Sequence, residues 1–274
     1  MIDGVLVEQE RATISVLDRG LLYGDGLFEV LRTWNGRAVD LDAHLDRLED
    51  SARWLRLPVD RAAIVDAVAI ALDAATNAAT DDHRIRIMLT RGPGGVAVPM
   101  ASAGPGSTIV IVEPIGALPE TTSLAIVDWP LPRRTGRGHK MLAYLDHVIA
   151  REMARERGAG DAVRLDADGK IAEGGTSNVF CVRGGEVLAT DGGGVLPGVT
   201  AARVAAICRR TDIPVVVGPI AVQAFLGADE VFVTSAVRGV VPVTRIISDG
   251  EHTLPVGEVT RRIRAAYVGE MTAL

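Results

Sequence analysis

An α+β fold is predicted by three observations: two amphipathic stripes of helical period near the start, several short strands that follow one another in sequence, and a proline-containing break between two halves. The 274 residues, 48% hydrophobic and 23% charged, describe a globular chain of one large domain or two modest ones and exclude a disordered or fibrous protein. A net charge of −6 argues against nucleic acid, which calls for a basic face. Apolar stretches such as Ile109 to Val112 fall far short of the roughly 20 residues a membrane helix requires. Cys181 and Cys208 are too few for a disulfide framework or a Cys-rich zinc site, and no secretory leader opens the chain. The expectation is a cytoplasmic protein with small-molecule partners and neither a nucleic-acid nor a membrane partner.

Ile2 to Leu6 and Thr13 to Val16 read as short strands, with Asp18-Arg-Gly and Tyr23-Gly-Asp-Gly as tight turns. A strand from Leu27 to Trp34 meets Asn35-Gly36, a strong hairpin signal. From Asp40 to Leu55 the apolar residues Leu41, Leu45, Leu48, Ala52 and Leu55 form a helical stripe, with Asp40 or Asp42 as cap and Pro58 as stop. A second, alanine-rich helix is predicted from about Asp60 to Ala75, then strands near Ile85 to Thr90 and Thr108 to Val112. Glu113 to Glu120, with two prolines, is the predicted linker, which divides the chain into 1–118 and 119–274. Beyond it come a strand at Leu124 to Val127, a basic loop from Arg133 to His139 and a helix from about Met141 to Arg157. Asp161 to Leu165, Val179 to Val182 and Val187 to Thr190 read as strands separated by turns. Gly198 to Arg210 is helical, Val215 to Val217 and Val231 to Thr234 are buried strands, and Val256 to Val268 is a closing helix. Short strands adjacent in sequence predict a mostly antiparallel sheet or partial barrel.

Of the 29 basic residues, 27 are arginine; only Lys140 and Lys170 are lysine. Such a composition leaves lysine mainly where arginine cannot substitute, namely where a neutral amine nucleophile is needed. Lys170 lies in the turn Asp166-Ala-Asp-Gly-Lys, where exposure is the natural outcome. Lys140 stands between a loop and an apolar-periodic helix, where its amine can enter a cleft. Glu173-Gly-Gly-Thr-Ser-Asn178 combines a carboxylate with glycines that admit a ligand close to the backbone. Leu196-Pro-Gly-Val-Thr200 leads into a helix whose first amides can receive a phosphate, and Arg47 can supply a cation. An amine, a carboxylate, a phosphate cradle and an arginine are the set that pyridoxal phosphate demands: a Schiff-base lysine, an acidic partner for the ring nitrogen, and dipoles with a cation for the phosphate.

The chain resembles the fold-type IV pyridoxal-phosphate enzymes, a group that includes branched-chain and D-amino acid aminotransferases and aminodeoxychorismate lyases. The likeness rests on Asp18 to Glu29, His44 to Ser51, Thr90-Arg-Gly92, Lys140 with its following helix, Gly169 to Phe180, Leu196 to Thr200, Asp229 to Ser235 and Pro242-Val243, in family order. It implies a small N-terminal α/β domain, a larger C-terminal pseudo-barrel domain carrying the lysine, cofactor in the cleft between them, and a homodimer. It further implies Lys140 as the catalytic residue, Glu173 as the ring-nitrogen partner, Arg47, Val199 and Thr200 at the phosphate with Ser235 and Ala236 nearby, and Tyr144, Ser177 and Asn178 around the cofactor. Tyr23, Phe28, Arg91 and Arg238 are the expected substrate residues. Two departures touch the substrate: Arg91 is followed by Gly-Pro-Gly-Gly-Val in place of the Arg-x-His carboxylate trap of D-amino acid aminotransferases, and Ala236 is similar to lyases where aminotransferases carry threonine. Arg238 either binds a substrate carboxylate or forms a surface salt bridge, and Arg133, Arg134 or Arg137 are alternatives. The expected function is amino transfer between a D- or branched-chain-type amino acid and a 2-oxo acid such as 2-oxoglutarate or pyruvate, in ping-pong order. The alternatives are an aminodeoxychorismate lyase and a phosphate-binding module without catalysis.

Overall fold

The computed structural model describes residues 1–75, 82–94, 104–131, 138–190 and 193–273; the basic loop from Arg133 to Arg137 lies outside them. Two compact units emerge, one from 1–116 together with His139–Tyr144, the other from 117–138 and 145–273. The boundary falls inside the predicted linker.

In the first unit β1 (Gly26–Trp34), β2 (Arg37–Ala38), β3 (His83–Thr90) and β4 (Thr108–Pro114) form an antiparallel sheet in the order β2-β1-β3-β4. The Asn35-Gly36 hairpin joins β1 to β2, with both residues at positive φ as the tight turn demands. Preceding the sheet is a short helix, α1 (Arg19–Tyr23), where the sequence predicts a turn; α2 (Leu41–Leu55) and α3 (Arg61–Ala75) follow the hairpin. Leu45 and Leu48 of α2 and Ile64 of α3 pack with Leu27, Leu31, Ile85 and Ile87 of the sheet. Asp40 occupies the N-cap position of α2 in a left-handed conformation and makes no side-chain cap bond. The helix ends at Leu55, with Arg56 left-handed, three residues before Pro58.

The predicted strands at Ile2 to Leu6 and Thr13 to Val16 do not form. Asp3 and Gly4 take positive φ, so Ile2 and Val5 bond to each other across a tight turn, and only an isolated bridge links Ile2 to Ile109. The segment carrying Lys140 also departs from expectation. It is extended where a helix is predicted, and it groups with the first unit although the sequence boundary assigns it to the second. The cause is pairing along β1: the Phe28 N–H donates to the Lys140 carbonyl at 2.9 Å, the Leu142 N–H donates to the Gly26 carbonyl at 3.0 Å, and Leu27 bridges Met141. Tertiary hydrogen bonds override helix propensity here, and α4 (Leu145–Glu156) starts only after Tyr144.

Among the described residues the second unit holds ten strands: β5 (Thr122–Ile126), β6 (Asp161–Leu165), β7 (Lys170–Gly174), β8 (Asn178–Arg183), β9 (Glu186–Ala189), β10 (Val215–Val217), β11 (Ile220–Ala221), β12 (Glu230–Ser235), β13 (Gly239–Ile247) and β14 (Glu251–Thr253). The path runs β10-β9-β8-β12-β13-β5-β6-β7-β11, with β14 on β13. Most pairs are antiparallel; β13 with β5, β5 with β6, and β9 with β10 are parallel. The helices are α4, α5 (Val199–Arg210), α6 (Val222–Leu226) and α7 (Glu258–Thr272). Val231, Val233, Val241, Val243 and Phe225 fill one core, while Ala150 and Ala154 of α4 pack on Ala125 and Ala162. Val215 to Val217, expected to be buried, is an edge strand with Val216 46% and Val217 57% exposed. Cys181 and Cys208 are free and buried, and burial pushes the Cys181 thiol up to about 11.

Candidate active site

In the first unit the site is built on the turn between α1 and β1. Asp18 caps α1, accepting the Gly20 N–H at 2.6 Å and the Thr90 hydroxyl at 2.8 Å. Asp25 takes Arg19 Nε at 2.9 Å and Arg91 Nε at 2.8 Å. Burial pushes the Asp25 carboxyl up, but hydrogen bonds and charge from Arg91 and Arg19 outweigh it and hold the group below its ordinary value. Arg91 also donates to the carbonyls of Leu55 (2.8 Å) and Arg56 (3.3 Å). Expected at the substrate, Arg91 is instead committed to fastening the end of α2 to the Asp25 turn. Tyr23 lies on the same turn, its ring under the Arg19 guanidinium at 4.8 Å.

Glycine is required where the lysine segment meets β1. A Cβ on Gly24 would come within 2.7 Å of the Ala143 backbone nitrogen, and one on Gly26 would collide with the Leu89 carbonyl. With that close approach, Lys140 Nζ lies 4.4 Å from the Phe28 ring centre and 5.2 Å from that of Tyr144, the two rings meeting edge to face at 5.0 Å. Three residues expected at the site, Lys140, Phe28 and Tyr144, are therefore assembled in one place. His139 stacks on Trp54 at 4.4 Å and its Nδ1 lies 3.1 Å from the Ser51 hydroxyl, so α2 grips the residue before the lysine.

The fourth member of this group, Arg86, was not foreseen. Its guanidinium lies 4.1 Å from the Phe28 ring centre, and among the described residues no carboxylate pairs with it. It is half-buried, and burial pulls it below the ordinary arginine value against weak support from Tyr144 and Glu113. Strand register singles it out: Phe28 and Val30 of β1 lie opposite Met88 and Arg86 of β3, so alternation puts Arg86 on the face of Phe28.

Arg47 forms a fork on Glu29, Nε to Oε1 at 2.8 Å and Nη2 to Oε2 at 2.6 Å, with His44 Nδ1 at 2.8 Å from Oε2. Burial pushes the Glu29 carboxyl up, yet the Arg47 charge and the hydrogen bonds of His44 and Arg47 bring it down to about 2.

In the second unit Glu173 on β7 is buried and accepts the Leu196 N–H at 3.0 Å, while Asn178 Nδ2 donates to the Leu196 carbonyl at 2.9 Å. Two expected site residues thus hold both sides of one residue's backbone just ahead of α5. A Cβ on Gly198 would collide with Asn178 Oδ1. Gly198 is the N-cap of α5 and offers no side-chain cap, so the amides of Val199 and Thr200 open the helix as donors beside the buried Thr200 side chain. Ser177 donates to Asp161 Oδ2 at 3.1 Å, and Arg238 Nη2 lies 3.0 Å from the same oxygen. Arg238 is therefore partnered by a buried carboxylate rather than left free for substrate. Ser235 accepts the Arg238 N–H at 3.4 Å, with Ala236 between them, and the buried Thr234 hydroxyl on β12 has no hydrogen-bond partner among the described residues.

In the second unit a helix start without a cap suits a phosphate and a buried carboxylate suits a ring nitrogen; in the first unit a lysine flanked by two rings suits an aldehyde. The sequence-family model for amino-transferase class IV matches residues 26–246. A Methanocaldococcus jannaschii protein named "Putative branched-chain-amino-acid aminotransferase" is 31% identical over 97% of this chain and 94% of its own. The solved branched-chain aminotransferase of Thermoproteus uzoniensis with norvaline superposes with a TM-score of 0.88 at 29% identity, covering 100% of this chain and 94% of that one. The 4-amino-4-deoxychorismate lyase of Pseudomonas aeruginosa gives 0.82 at 29% identity, covering 97% of each. The chain belongs to the class IV aminotransferases. It is a fold-type IV enzyme, and its cofactor is pyridoxal phosphate, as in the rest of that family.

Proposed function

We propose that this enzyme moves an amino group between a branched-chain-type amino acid and a 2-oxo acid such as 2-oxoglutarate or pyruvate, in ping-pong order. The observation carrying this reading is the lysine assembly: Lys140 is fixed to β1 through its own carbonyl, and its amine faces the rings of Phe28 and Tyr144. When bound, the cofactor supplies an aldehyde that captures amines and a ring that withdraws electrons from the substrate carbon. Lys140 Nζ would hold the cofactor's aldehyde and, when free, would serve as the base that moves the proton from the substrate carbon. Glu173 would accept the ring N–H, and Val199 and Thr200 would hold the phosphate alongside Ser235 and Ala236; Arg47, expected at the phosphate, is committed as a fork to the buried Glu29. Phe28 and Tyr144 keep water from the amine. With Arg91 and Arg238 already partnered, Arg86 is the cation we assign to the substrate carboxylate.

Borohydride treatment followed by peptide mass analysis tests the reading: a pyridoxyl label on the peptide of Lys140, absent in K140A, is expected. A label on Lys170, or none, overturns it. A panel of L- and D-amino acids, assayed for 2-oxo acid formation, defines the donor. The lyase reading, supported by Ala236 and by the Pseudomonas aeruginosa neighbour, prevails if 4-aminobenzoate is released from aminodeoxychorismate without amino transfer. A cytoplasmic homodimer belongs to the same proposal, supported by the exposed apolar side chains of Val5, Leu6, Val16, Leu17 and Leu21 on the first unit. A monomer in sedimentation removes that part.

A further inference from the structure

Asp161 opens β6, and none of its side chain is exposed. Its Oδ2 takes donors from two different turns. One is the Ser177 hydroxyl at 3.1 Å, on the turn between β7 and β8; the other is Arg238 Nη2 at 3.0 Å, on the turn between β12 and β13. Oδ1 accepts the Ala162 N–H at 2.9 Å and lies 3.6 Å from Arg151 Nε of α4. Both turns leave the same end of the sheet, since Asn178 at the start of β8 pairs with Thr234 near the end of β12, and Gly174 at the end of β7 pairs with Val163 of β6. One buried oxygen therefore fastens the two turns together.

The first turn is packed close against this carboxylate. Gly175 donates its N–H to the Ala162 carbonyl at 3.1 Å, and a Cβ on it would come within 2.6 Å of Asp161 Oδ1. Gly174 donates to the Ser177 carbonyl at 2.7 Å, and a Cβ there would collide with the Ser177 hydroxyl. In the second turn Arg238 gives its backbone N–H to Ser235 Oγ at 3.4 Å, so the residue that reaches Asp161 also braces its own loop. Glu173 precedes the first turn and Asn178 follows it, while Ser235 and Ala236 lie on the second. We infer that Asp161 is a positioning residue for the reaction: with Arg238 as its counter-charge, it fixes the spacing between the carboxylate proposed for the ring nitrogen and the residues proposed for the phosphate. A rigid aromatic ligand held at both ends gains affinity from spacing set in advance. The inference rests on the roles proposed for Glu173 and Ser235, and Asp161 acts through the turns alone.

The full chain titrated with pyridoxal phosphate tests it, as wild type, D161N, R238L, R238K, D161N/R238L, S177A, S235A and E173Q. The measurements are cofactor affinity from the visible absorption band, kcat and KM at saturating cofactor, and urea unfolding of the cofactor-free chain. D161N and R238L are each expected to weaken pyridoxal phosphate binding about tenfold or more and to lower kcat. The KM for the amino acid should stay within about twofold of wild type. R238K, which returns a charge to Asp161, should recover most of the affinity. Because both single changes break one link, the double variant should bind within about twofold of the weaker single. If D161N or R238L does not fold, the double variant, in which neither charge of the pair is stranded, is read in its place. If that also fails, S177A, which cuts only the tie to the first turn, decides by the same loss of affinity. Variants that lose urea stability yet bind pyridoxal phosphate within about twofold of wild type make Asp161 purely structural and overturn the inference. So does an R238K as weak as R238L. E173Q and S235A with wild-type affinity and band overturn the roles of Glu173 and Ser235 instead, whatever D161N does. A wild type that gains no visible band overturns the proposed function as a whole.

Discussion

Arginine is so abundant in this chain that its roles have to be separated by what each guanidinium already holds. Arg91 is spent on Asp25 and on two carbonyls of the α2 terminus, whereas Arg86 has an aromatic ring and no carboxylate among the described residues. R91L should therefore destabilise the fold by roughly 3–5 kcal/mol, the usual consequence of stranding one member of a buried pair, seen as a lowered Tm. R86L should instead raise the KM for amino and 2-oxo acids about tenfold or more, the worth of a charge-assisted hydrogen bond, with Tm little changed. A lowered Tm in R86L with KM unchanged removes Arg86 from the substrate. Glu29 gives a pH signature. Its carboxyl, held at about 2 in the fold against an ordinary 4.5, contributes stability in full above pH 4.5 and loses it as pH falls toward 2. That loss is of the order of 3 kcal/mol. Urea unfolding across that window should show a steeper decline for the wild type than for E29Q; parallel curves would contradict the pairing. Lys140 and Glu173, the amine and carboxylate of the proposed site, stand out in the sequence because lysine is rare here and the glycine-rich turn is distinctive. Arg86 was hidden among 27 arginines, and only strand register singles it out.

At the level of elements, local signals served where local interactions decide. The β1–β2 hairpin follows from Asn35-Gly36, and α2, α3, α5 and α7 follow from their apolar stripes. Where distant backbone supplies the hydrogen bonds, the sequence misleads. The helix predicted from about Met141 does not begin there, because Met141 and Leu142 pair with β1, and β13 runs through Pro242, a residue that normally argues against a strand inside a sheet. At its start α5 has no side-chain cap and depends on Gly198 to clear Asn178. G198A should displace Asn178 or the helix start and weaken pyridoxal phosphate binding about tenfold or more, measured by fluorescence titration, while the apo enzyme keeps its helical circular dichroism. Undiminished affinity would detach the start of α5 from the phosphate.

Over the whole molecule the ordered series of motifs carried the fold family, and the prolines marked where the first unit yields to the second. What they did not reveal is that the first unit is discontinuous, reclaiming His139–Tyr144 after the chain has already entered the second. A fragment ending at Gly116 would leave the Phe28 N–H and the Gly26 carbonyl without their partners, so it is not an autonomous piece that a gene fusion can borrow. Timing on the ribosome follows from the same connection. Chains emerge at roughly 5–20 residues per second, and the edge of β1 has to wait until more than a hundred further residues have been made. The nascent enzyme therefore seats the Lys140 amine late, as the last strip sewn onto a sheet begun near the N-terminus.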